Sequence, residues 1–319
     1  MPNLDVSVVG ELNLDLIFHG LPSQLEMDRE HLAEDLTITL GSSSAIFAHN
    51  LAFLGNKVGF SSAVGDDAFG QICLQRLGES GTDMSRVRRF PGTHSGITAI
   101  LPNGKNRYIL TYPGTMFTMS YEDLDLDYIF GAKHFHLSSY YLQRALRPSL
   151  PKLFHQAKEA GLSTSLDTND DPDDLWSTDE LDQVLKYVDV FLPNEREARN
   201  IARTDQLPRA AEILSQKVRL VVIKRGADGV LARDGSEVFS ASALPVEFDD
   251  AIGAGDSFDA GFLHKYIRGA KIEDCLRFGN ITGALSVTRA GGTAAFRDSD
   301  YRTRFLNDRW ASPAIINFP

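Results

Sequence analysis

Short runs rich in β-branched residues alternate with longer segments of helical periodicity, and this alternation limits the fold more than any other feature of the chain. Such runs occupy residues 6–9, 57–62, 133–137, 163–167, 188–192 and 220–224. Neighbouring parallel strands need a crossover connection, usually a helix, whereas antiparallel strands can be joined by a tight turn. The sequence therefore predicts an α/β fold with a doubly wound, mainly parallel sheet flanked by helices.

Two segments, 13–40 and 93–112, interrupt this alternation because neither has long helical periodicity. The second contains Asn103-Gly104 between two strand-like runs, which is the strongest short signal for a β-hairpin. We interpret both segments as a small β-sheet lid over the end of the main sheet; surface decoration would give the same pattern. The α/β domain would then comprise residues 1–12, 41–92 and 113–319.

The composition excludes several classes of partner. The chain has 319 residues, of which 43% are hydrophobic, enough for one large α/β domain or two modest ones. A formal net charge of −11 opposes binding to nucleic acid or to an anionic membrane, so we expect a small-molecule partner.

The N-terminus has no basic segment before its first apolar run, which predicts a cytoplasmic protein. Cys73 and Cys275 match no metal or redox spacing and are interpreted as reduced, buried thiols.

The stretch 249–261 contains the most informative motif. Gly253, Ala254 and Gly255 precede Asp256, which opens a predicted helix. Bare backbone N–H groups and the positive end of a helix dipole would converge there, an arrangement that suits a phosphate. A carboxylate beside them could accept the proton of a hydroxyl that attacks a γ-phosphate. The alternative is an ordinary tight turn in which Asp256 caps the helix.

This motif and its companions resemble the ribokinase-like family of carbohydrate kinases, also called the PfkB family, over nearly the whole chain. The family signature D-T-x-G-A-G-D-x-F is similar to residues 250–258, with a single change at Ala251. Four further elements stand in the family's order: Gly41 with 54–55 and 65–70, Asn194 to Glu197, Lys224 to Gly229, and Asn280 with 287–292. Five elements in order are far more specific than any one of them. The resemblance implies a ribokinase-like fold and an ATP-dependent kinase that uses Mg²⁺.

The resemblance also implies roles near the phosphates. Asp256 would be the general base, and the N–H groups of residues 253–255 would form an anion hole for the transferred phosphoryl group. Asn194 and Glu197 would act near the phosphates and the hydrated Mg²⁺. Taken alone, Glu197 would more commonly lie on a solvated helix face.

Further positions are assigned to the nucleotide by the same resemblance. Lys224 would neutralise phosphate charge, Gly226 and Gly229 would let the backbone approach the nucleotide, and Asn280 would lie near adenine. Asp250 is a candidate ligand for a monovalent cation. Because Ala251 replaces the usual Thr, dependence on potassium stays open.

On the acceptor side, Asn13 and Asp15 match the N-x-D that follows the family's first strand. Their side chains could bind sugar hydroxyls; a loop Asx-turn is the alternative. The family's G-G-x-x-x-N begins here with Gly41 and Ser42 and ends in Ile46. Ile46 cannot form hydrogen bonds, so ribose itself is doubtful as the acceptor.

Charge near the acceptor leaves its chemistry open. Arg107 in the lid could clamp an anionic group, with a solvated edge residue as the alternative. The family's D-x-N-x-R reads 167–171 here, with Asp171 in place of Arg, which argues against an acidic acceptor. We therefore expect a neutral sugar or polyol, with a 2-keto-3-deoxy sugar acid or a nucleoside as alternatives.

Three other classes of function are alternatives to a kinase. An early G-x-G-x-x-G, expected of a dinucleotide-dependent oxidoreductase, is missing, and the P-loop pattern G-x-x-x-x-G-K-[ST] appears nowhere. A non-catalytic regulator that binds sugar or nucleotide would use the same fold. Relatives often pair through their lids, which makes a homodimer the expected assembly.

Overall fold

The computed structural model describes residues 4–22, 24–103, 106–176, 179–312 and 316–317. The strands are β1 (Leu4–Val9), β2 (Asn13–His19), β3 (Asp35–Leu40), β4 (Val58–Gly65), β5 (Asp83–Phe90), β6 (Gly96–Asn103), β7 (Asn106–Tyr112), β8 (Ala132–Leu137), β9 (Ser163–Leu166), β10 (Val190–Phe191), β11 (Leu220–Lys224), β12 (Val230–Asp234), β13 (Glu237–Ala241) and β14 (Ile316–Asn317). The helices are α1 (Ser43–Phe53), α2 (Ala68–Gly78), α3 (Leu126–Phe130), α4 (Leu150–Glu159), α5 (Asp179–Leu185), α6 (Glu195–Ala202), α7 (Leu207–Ser215), α8 (Ala254–Tyr266), α9 (Ile272–Ser286), α10 (Ala294–Arg297) and α11 (Ser299–Ala311).

The large sheet has the order β14-β13-β12-β11-β10-β9-β8-β1-β4-β5. Every pairing from β5 to β11 is parallel, whereas β12, β13 and β14 add an antiparallel edge. From β1 the chain builds outward to β4 and β5, and from β8 it builds in the opposite direction, so the order reverses between β1 and β8. The predicted doubly wound, mainly parallel sheet is confirmed. Ligands of such sheets bind beyond the carboxyl ends of the strands at this reversal.

The inner strands β1, β4 and β11 of the large sheet are buried on both faces because helices cover both. Val221 and Ile223 belong to one hydrophobic cluster and Val222, between them, belongs to another, as alternation along a strand requires. The first cluster is completed by residues of α3 to α7, and the second by residues of α1, α2, α8 and α9.

The second sheet has four strands in the order β3-β2-β6-β7. β2 and β6 are parallel, and β6 and β7 form the antiparallel hairpin that the sequence predicts, with Ile100 opposite Ile109. Gly104 and Lys105, at the expected turn, lie outside the described residues. A separate small sheet, interpreted from the sequence as a lid, is therefore present.

Two smaller expectations also concern the fold. Cys73 and Cys275 are both buried and free, as predicted. Among the described helices, none combines the length and apolar character needed to cross a membrane.

Candidate active site

A cavity of about 1050 Å³ lies between the small sheet and the carboxyl ends of the parallel strands. Its lining includes most of the residues that the sequence assigns to the site: Asp15, Ser42, Arg107, Asn194, Glu197, Lys224, Gly226, Gly229, Gly253, Ala254, Gly255, Asp256 and Asn280. Residues more than 200 positions apart in sequence thus face one space. Asn13, Gly41 and Asp250 do not line the cavity but contact residues that lie at its wall, as described below.

The first turn of α8 forms the middle of this cavity. Gly253 has a φ of 70°, and a Cβ atom there would lie 2.6 Å from Cα of Gly292, so both conformation and space require glycine. The N–H of Ala254 lies 3.3 Å from the carbonyl of Ala251. The N–H groups of Gly255 and Asp256 have no backbone acceptor among the described residues and remain available to an anion.

Asp256 is buried at this helix start, with 8% of its surface exposed. Burial raises the pKa of its carboxyl group to about 7, and the charge of Asp167 acts in the same direction, whereas Lys224 and a hydrogen bond from Ser43 oppose the shift. A carboxylate with a pKa near neutrality can take up a proton and release it again at physiological pH.

Lys224 does not project freely into the cavity. Its Nζ lies 2.6 Å from Oδ2 of Asp167 and 2.9 Å from Oδ2 of Asp259. Burial alone would lower the pKa of the ammonium group, but the two carboxylates outweigh it and raise that pKa. The charge predicted to neutralise phosphate is thus already held in a buried cluster. Sequence reasoning gave Asp167 and Asp259 no role, although the position of Asp167 at the end of β9 was a usable signal.

Asn194 and Glu197 form a capping box at the start of α6. The Asn194 N–H donates to Oε2 of Glu197 at 2.8 Å, and the Glu197 N–H donates to Oδ1 of Asn194 at 3.0 Å. Glu197 is only 4% exposed, so the solvated-face alternative is wrong. Burial, together with the charge of Asp167, raises the pKa of Glu197 to about 8. We call the first turn of α8, Lys224 and the Asn194–Glu197 pair together the phosphate end of the cavity.

A second part of the cavity, the base end, comprises residues 226–229, 243–248 and 280–287. Gly229 has a φ of 85°, and a Cβ there would lie 2.0 Å from the carbonyl oxygen of Ala241. Asn280 donates its side-chain amide to the carbonyls of Ala241 at 3.3 Å and Ser242 at 3.0 Å. A Cβ on Gly283 would lie 3.3 Å from the Ala254 carbonyl oxygen, so the base end adjoins the phosphate end.

The acceptor end comprises the cavity-facing lid residues and the start of α1. Asp15 is 6% exposed, and burial followed by the charges of Asp256 and Asp250 raises the pKa of its carboxyl group to about 7, against the opposing charge of Arg107. Asn13 donates to Oδ1 of Asp15 at 3.4 Å, and Oδ1 of Asn13 is buried without a partner among the described residues. A Cβ on Gly41 would lie 2.1 Å from Oδ1 of Asp15, so glycine leaves room for this carboxylate.

Ser42 occupies a backbone conformation that favours glycine, with a φ of 70°. Its hydroxyl donates to Oε1 of Glu11 at 3.0 Å and accepts the N–H of Ala45 at 3.1 Å, which caps α1. Sequence reasoning missed Glu11, a buried carboxylate that also accepts hydrogen bonds from Ser44, Ser139 and Gln143. It thereby links the β1–β2 turn, α1 and the segment after β8, the elements around the reversal of strand order.

The segment 167–171 corrects one inference from the sequence. Asp171 accepts the N–H groups of Leu175 at 3.0 Å and Trp176 at 2.7 Å, so it closes a local turn, and it does not line the cavity. Asp170 does line the cavity, but Arg196 lies 2.7 Å from its Oδ1. The argument against an acidic acceptor therefore loses its basis at Asp171.

Asp250 bridges two loops. Its Oδ1 accepts the N–H of Ile252 at 2.9 Å and its Oδ2 accepts the N–H of Gly291 at 3.0 Å. A monovalent cation would have to use the remaining lone pairs and backbone carbonyls. Among the described residues, no three His, Cys, Asp or Glu side chains converge as a metal site.

A lidded cavity at the reversal of a doubly wound sheet, with a buried carboxylate at an open helix start, defines a class of small-molecule phosphotransferases. Residues 3–298 match the pfkB family carbohydrate kinases, and the chain belongs to that family. It is an ATP-dependent carbohydrate kinase, as the sequence predicts.

Individual relatives extend this result. The chain is 30% identical over 242 residues to an uncharacterised sugar kinase of Archaeoglobus fulgidus, covering 76% of this chain and 95% of that protein. It is 30% identical over 279 residues to a cytidine kinase of Thermococcus kodakarensis, covering 86% and 93%. A putative ribokinase II from E. coli, solved with ATP and Mg²⁺, has the same fold with a TM-score of 0.84 at 24% identity, covering 96% and 99%.

Proposed function

We propose that this kinase transfers the γ-phosphoryl group of ATP to a hydroxyl of a small sugar-like acceptor, with Asp256 as the general base. The observation that carries the proposal is the buried Asp256 carboxylate, which lines one cavity together with Asp15 of the lid and the open start of α8. The acceptor oxygen bonds to the γ-phosphorus as the bond from that phosphorus to the β–γ bridging oxygen breaks. The hydroxyl proton passes to Asp256 and ADP leaves.

The phosphate end supplies the electrostatic part of this reaction. The N–H groups of Gly253, Ala254 and Gly255 are proposed to hold the charge that develops on the transferred group, with the Ala254 N–H turning from its 3.3 Å contact with the Ala251 carbonyl. Glu197, oriented by Asn194, would bind the water shell of an ATP-bound Mg²⁺, whose chemistry is to offset phosphate charge. Lys224 acts through its carboxylate cluster and sets the field at Asp256 rather than clamping a phosphate directly.

The acceptor end is proposed to recognise hydroxyl groups through Asp15 and Asn13. The carboxylate of Asp15 accepts hydrogen bonds, and Asn13, which does not line the cavity, supports it by donating to its Oδ1 at 3.4 Å. Neutral sugars and polyols supply hydroxyl donors and need no charged partner. They are our first choice of acceptor.

Two observations support the other acceptor classes. Arg107 lines the cavity, and none of the described residues forms an ion pair with it, which favours an acidic acceptor such as a 2-keto-3-deoxy sugar acid. Ile46, Ile100, Ile109 and Ile252 also line the cavity and form an apolar surface. A nucleoside base would pack well against it, and one relative is named a cytidine kinase.

ADP release across neutral sugars, polyols, 2-keto-3-deoxy sugar acids and nucleosides tests the proposal. We expect one class to reach a kcat/KM of at least about 10⁴ M⁻¹s⁻¹, an ordinary value for an enzyme. Arg107→Gln should lower kcat/KM at least tenfold for an acidic acceptor and leave a neutral one within about twofold. ADP release at background level with every acceptor would favour the non-catalytic regulator.

We also propose that two copies of the chain pair through the outer face of the lid. Tyr108, Leu110 and Tyr112 are 50–59% exposed and alternate along β7 with Arg107 and Ile109, which line the cavity. An apolar surface of this kind on an exposed sheet is typical of an interface. Light scattering should find a dimer that Leu110→Glu converts to a folded monomer; a monomeric wild-type protein would contradict the pairing.

A further inference from the structure

The base end of the cavity is almost devoid of polar side chains. The residues that line it there are Gly226, Ala227, Gly229, Ala243, Leu244, Pro245, Val246, Phe248, Asn280, Gly283, Ala284 and Val287. Asp228 and Glu247 belong to the same segments but do not line the cavity. Among the described residues that line this surface, Asn280 is therefore the one whose side chain can form hydrogen bonds.

Asn280 is largely committed to the protein itself. Both hydrogen bonds of its amide nitrogen go to backbone carbonyls, those of Ala241 and Ser242. These bonds attach α9 to the end of β13 and so fix the wall of the cavity. Only the Oδ1 atom remains as a side-chain acceptor for a ligand.

The backbone segment beside this wall, residues 243–248, is not paired with any strand that the structure describes. Among the described residues, no backbone–backbone hydrogen bond involves residues 243–248, which lie between β13 and Asp249. Apart from Pro245, which has no N–H, these residues leave their N–H and C=O groups outside any described strand ladder. A rigid strand would instead present one fixed order of donors and acceptors.

We propose that the nucleotide site has relaxed base specificity and accepts GTP as well as ATP as the phosphoryl donor. Adenine and guanine differ in the donors and acceptors on their edges, and a site selects strongly only where its buried polar groups would be left unpaired by the wrong ligand. Apolar contact and stacking bind any base because each has a π face. This inference rests on the proposed function, because it assumes that the cavity binds a nucleoside triphosphate.

Binding and turnover together test it. Titration calorimetry with non-hydrolysable analogues of ATP, GTP, CTP and UTP needs no acceptor, so it separates donor recognition from the kinase reaction. We expect Kd values for the two purine analogues within about tenfold of each other, with pyrimidines weaker by at most about a hundredfold because they bury less surface. kcat/KM for ATP and GTP with the acceptor from the panel should follow the same ratio.

A preference for ATP over GTP above about a thousandfold in Kd would overturn the inference and leave the proposed function standing. Failure of all four analogues to bind would overturn the proposed function and this inference with it. Weak selection together with ADP release supports both.

Two variants locate the source of any selectivity. Phe248, with 66% of its surface exposed at the cavity, offers a ring for stacking, and Phe248→Ala should weaken all four analogues by about five- to a hundredfold without changing their ratios. Asn280→Ala should likewise weaken them together, because it releases the wall. A change in the ATP-to-GTP ratio of more than about tenfold in Asn280→Ala would mean that Oδ1 reads the base and would overturn the inference.

Discussion

The phosphate end and the acceptor end of the cavity differ in how their polar side chains are satisfied. At the phosphate end Lys224 is held by Asp167 and Asp259, although Oδ1 of Asp259 is buried without a described partner, and Asn194 and Glu197 bond to each other. At the acceptor end Oδ1 of Asn13 is buried without a described partner, and Arg107 forms no ion pair with the described residues. The phosphate end is organised before any ligand binds, as electrostatic catalysis requires, whereas at the acceptor end we propose that the ligand provides the missing hydrogen-bond partners, which is how a site selects its substrate.

Asp256→Asn should produce the largest effect, and it acts at the end that is organised in advance. Loss of the base should lower kcat by about 10²–10⁴-fold, or about 3–5 kcal/mol in the barrier, while ATP affinity is preserved. Steady-state kinetics and calorimetry measure the two quantities. Asp228→Asn, an exposed carboxylate beside the cavity, is the matched control and should behave as the wild type. Normal turnover in Asp256→Asn would remove this residue from its role.

Asp15→Ala should affect the other end alone. Removing a hydrogen bond to a charged group costs about 1.5–3 kcal/mol, so kcat/KM for the acceptor should fall about 10–100-fold. The Kd of ATP should change by less than about twofold, since Asp15 lies in the lid. Asn13→Ala should give a smaller loss of the same kind. Unchanged acceptor kinetics in both variants would move the sugar site elsewhere.

The pH dependence of activity provides a third test of the contrast. Asp256 acts as a base only when deprotonated, and its pKa is about 7. We therefore expect kcat/KM to rise about tenfold per unit below pH 7 and to level off only above about pH 8, where Glu197 is also deprotonated. The pKa of Asp15 is also about 7, so Asp15→Asn is needed to show that the rising limb persists without that group. A flat profile between pH 5 and 8 would be inconsistent with this assignment.

The same raised pKa has a consequence for stability. Asp256 binds a proton more readily in the folded protein than in the unfolded chain. Its contribution to the free energy of unfolding is therefore present below the ordinary pKa of 3.8 and is lost as pH rises through about 7. Asp256→Asn should therefore unfold at a higher temperature than the wild type at pH 8, with the gap closing toward pH 4. Calorimetry at both values measures this, and an equal gap at the two would contradict the linkage.

The sequence predicted the helix start at Gly253 to Asp256 better than the long-range contacts around it, for a physical reason. Gly253 to Asp256 is a local motif whose spacing alone defines a helix start with open N–H groups. The ion pair of Lys224 with Asp167 joins positions 57 residues apart, and the bond from Ser139 to Glu11 spans 128. No local pattern encodes such contacts, so the cluster and Glu11 were missed and Asp171 was assigned the wrong environment.

Lid closure should be a modest effect and is confined to the acceptor end. We expect the hairpin of β6 and β7 to close over the cavity when ligands bind, because water that stayed inside would compete as the phosphoryl acceptor. Hydrogen exchange in 93–112 should slow when the acceptor and a nucleotide analogue are bound together, and less with either alone. Exchange in α4, on the far face of the large sheet, serves as the internal control. Equal rates with and without both ligands would leave the small sheet as decoration.

The smallest effect concerns Ser42, where the acceptor end stores backbone strain. A φ of 70° is costly for serine, by about 1–3 kcal/mol, and glycine would remove that cost. Glycine would also lose the cap on the Ala45 N–H, worth a few tenths to about 1 kcal/mol, and the bond to Glu11. These terms oppose each other, so Ser42→Gly should change the free energy of unfolding by no more than about 1 kcal/mol. Ser42→Ala loses the same bonds and keeps the strain, so urea denaturation should find it less stable than Ser42→Gly. The reverse order would mean that the hydroxyl's bonds, rather than the backbone, set the energy of this turn.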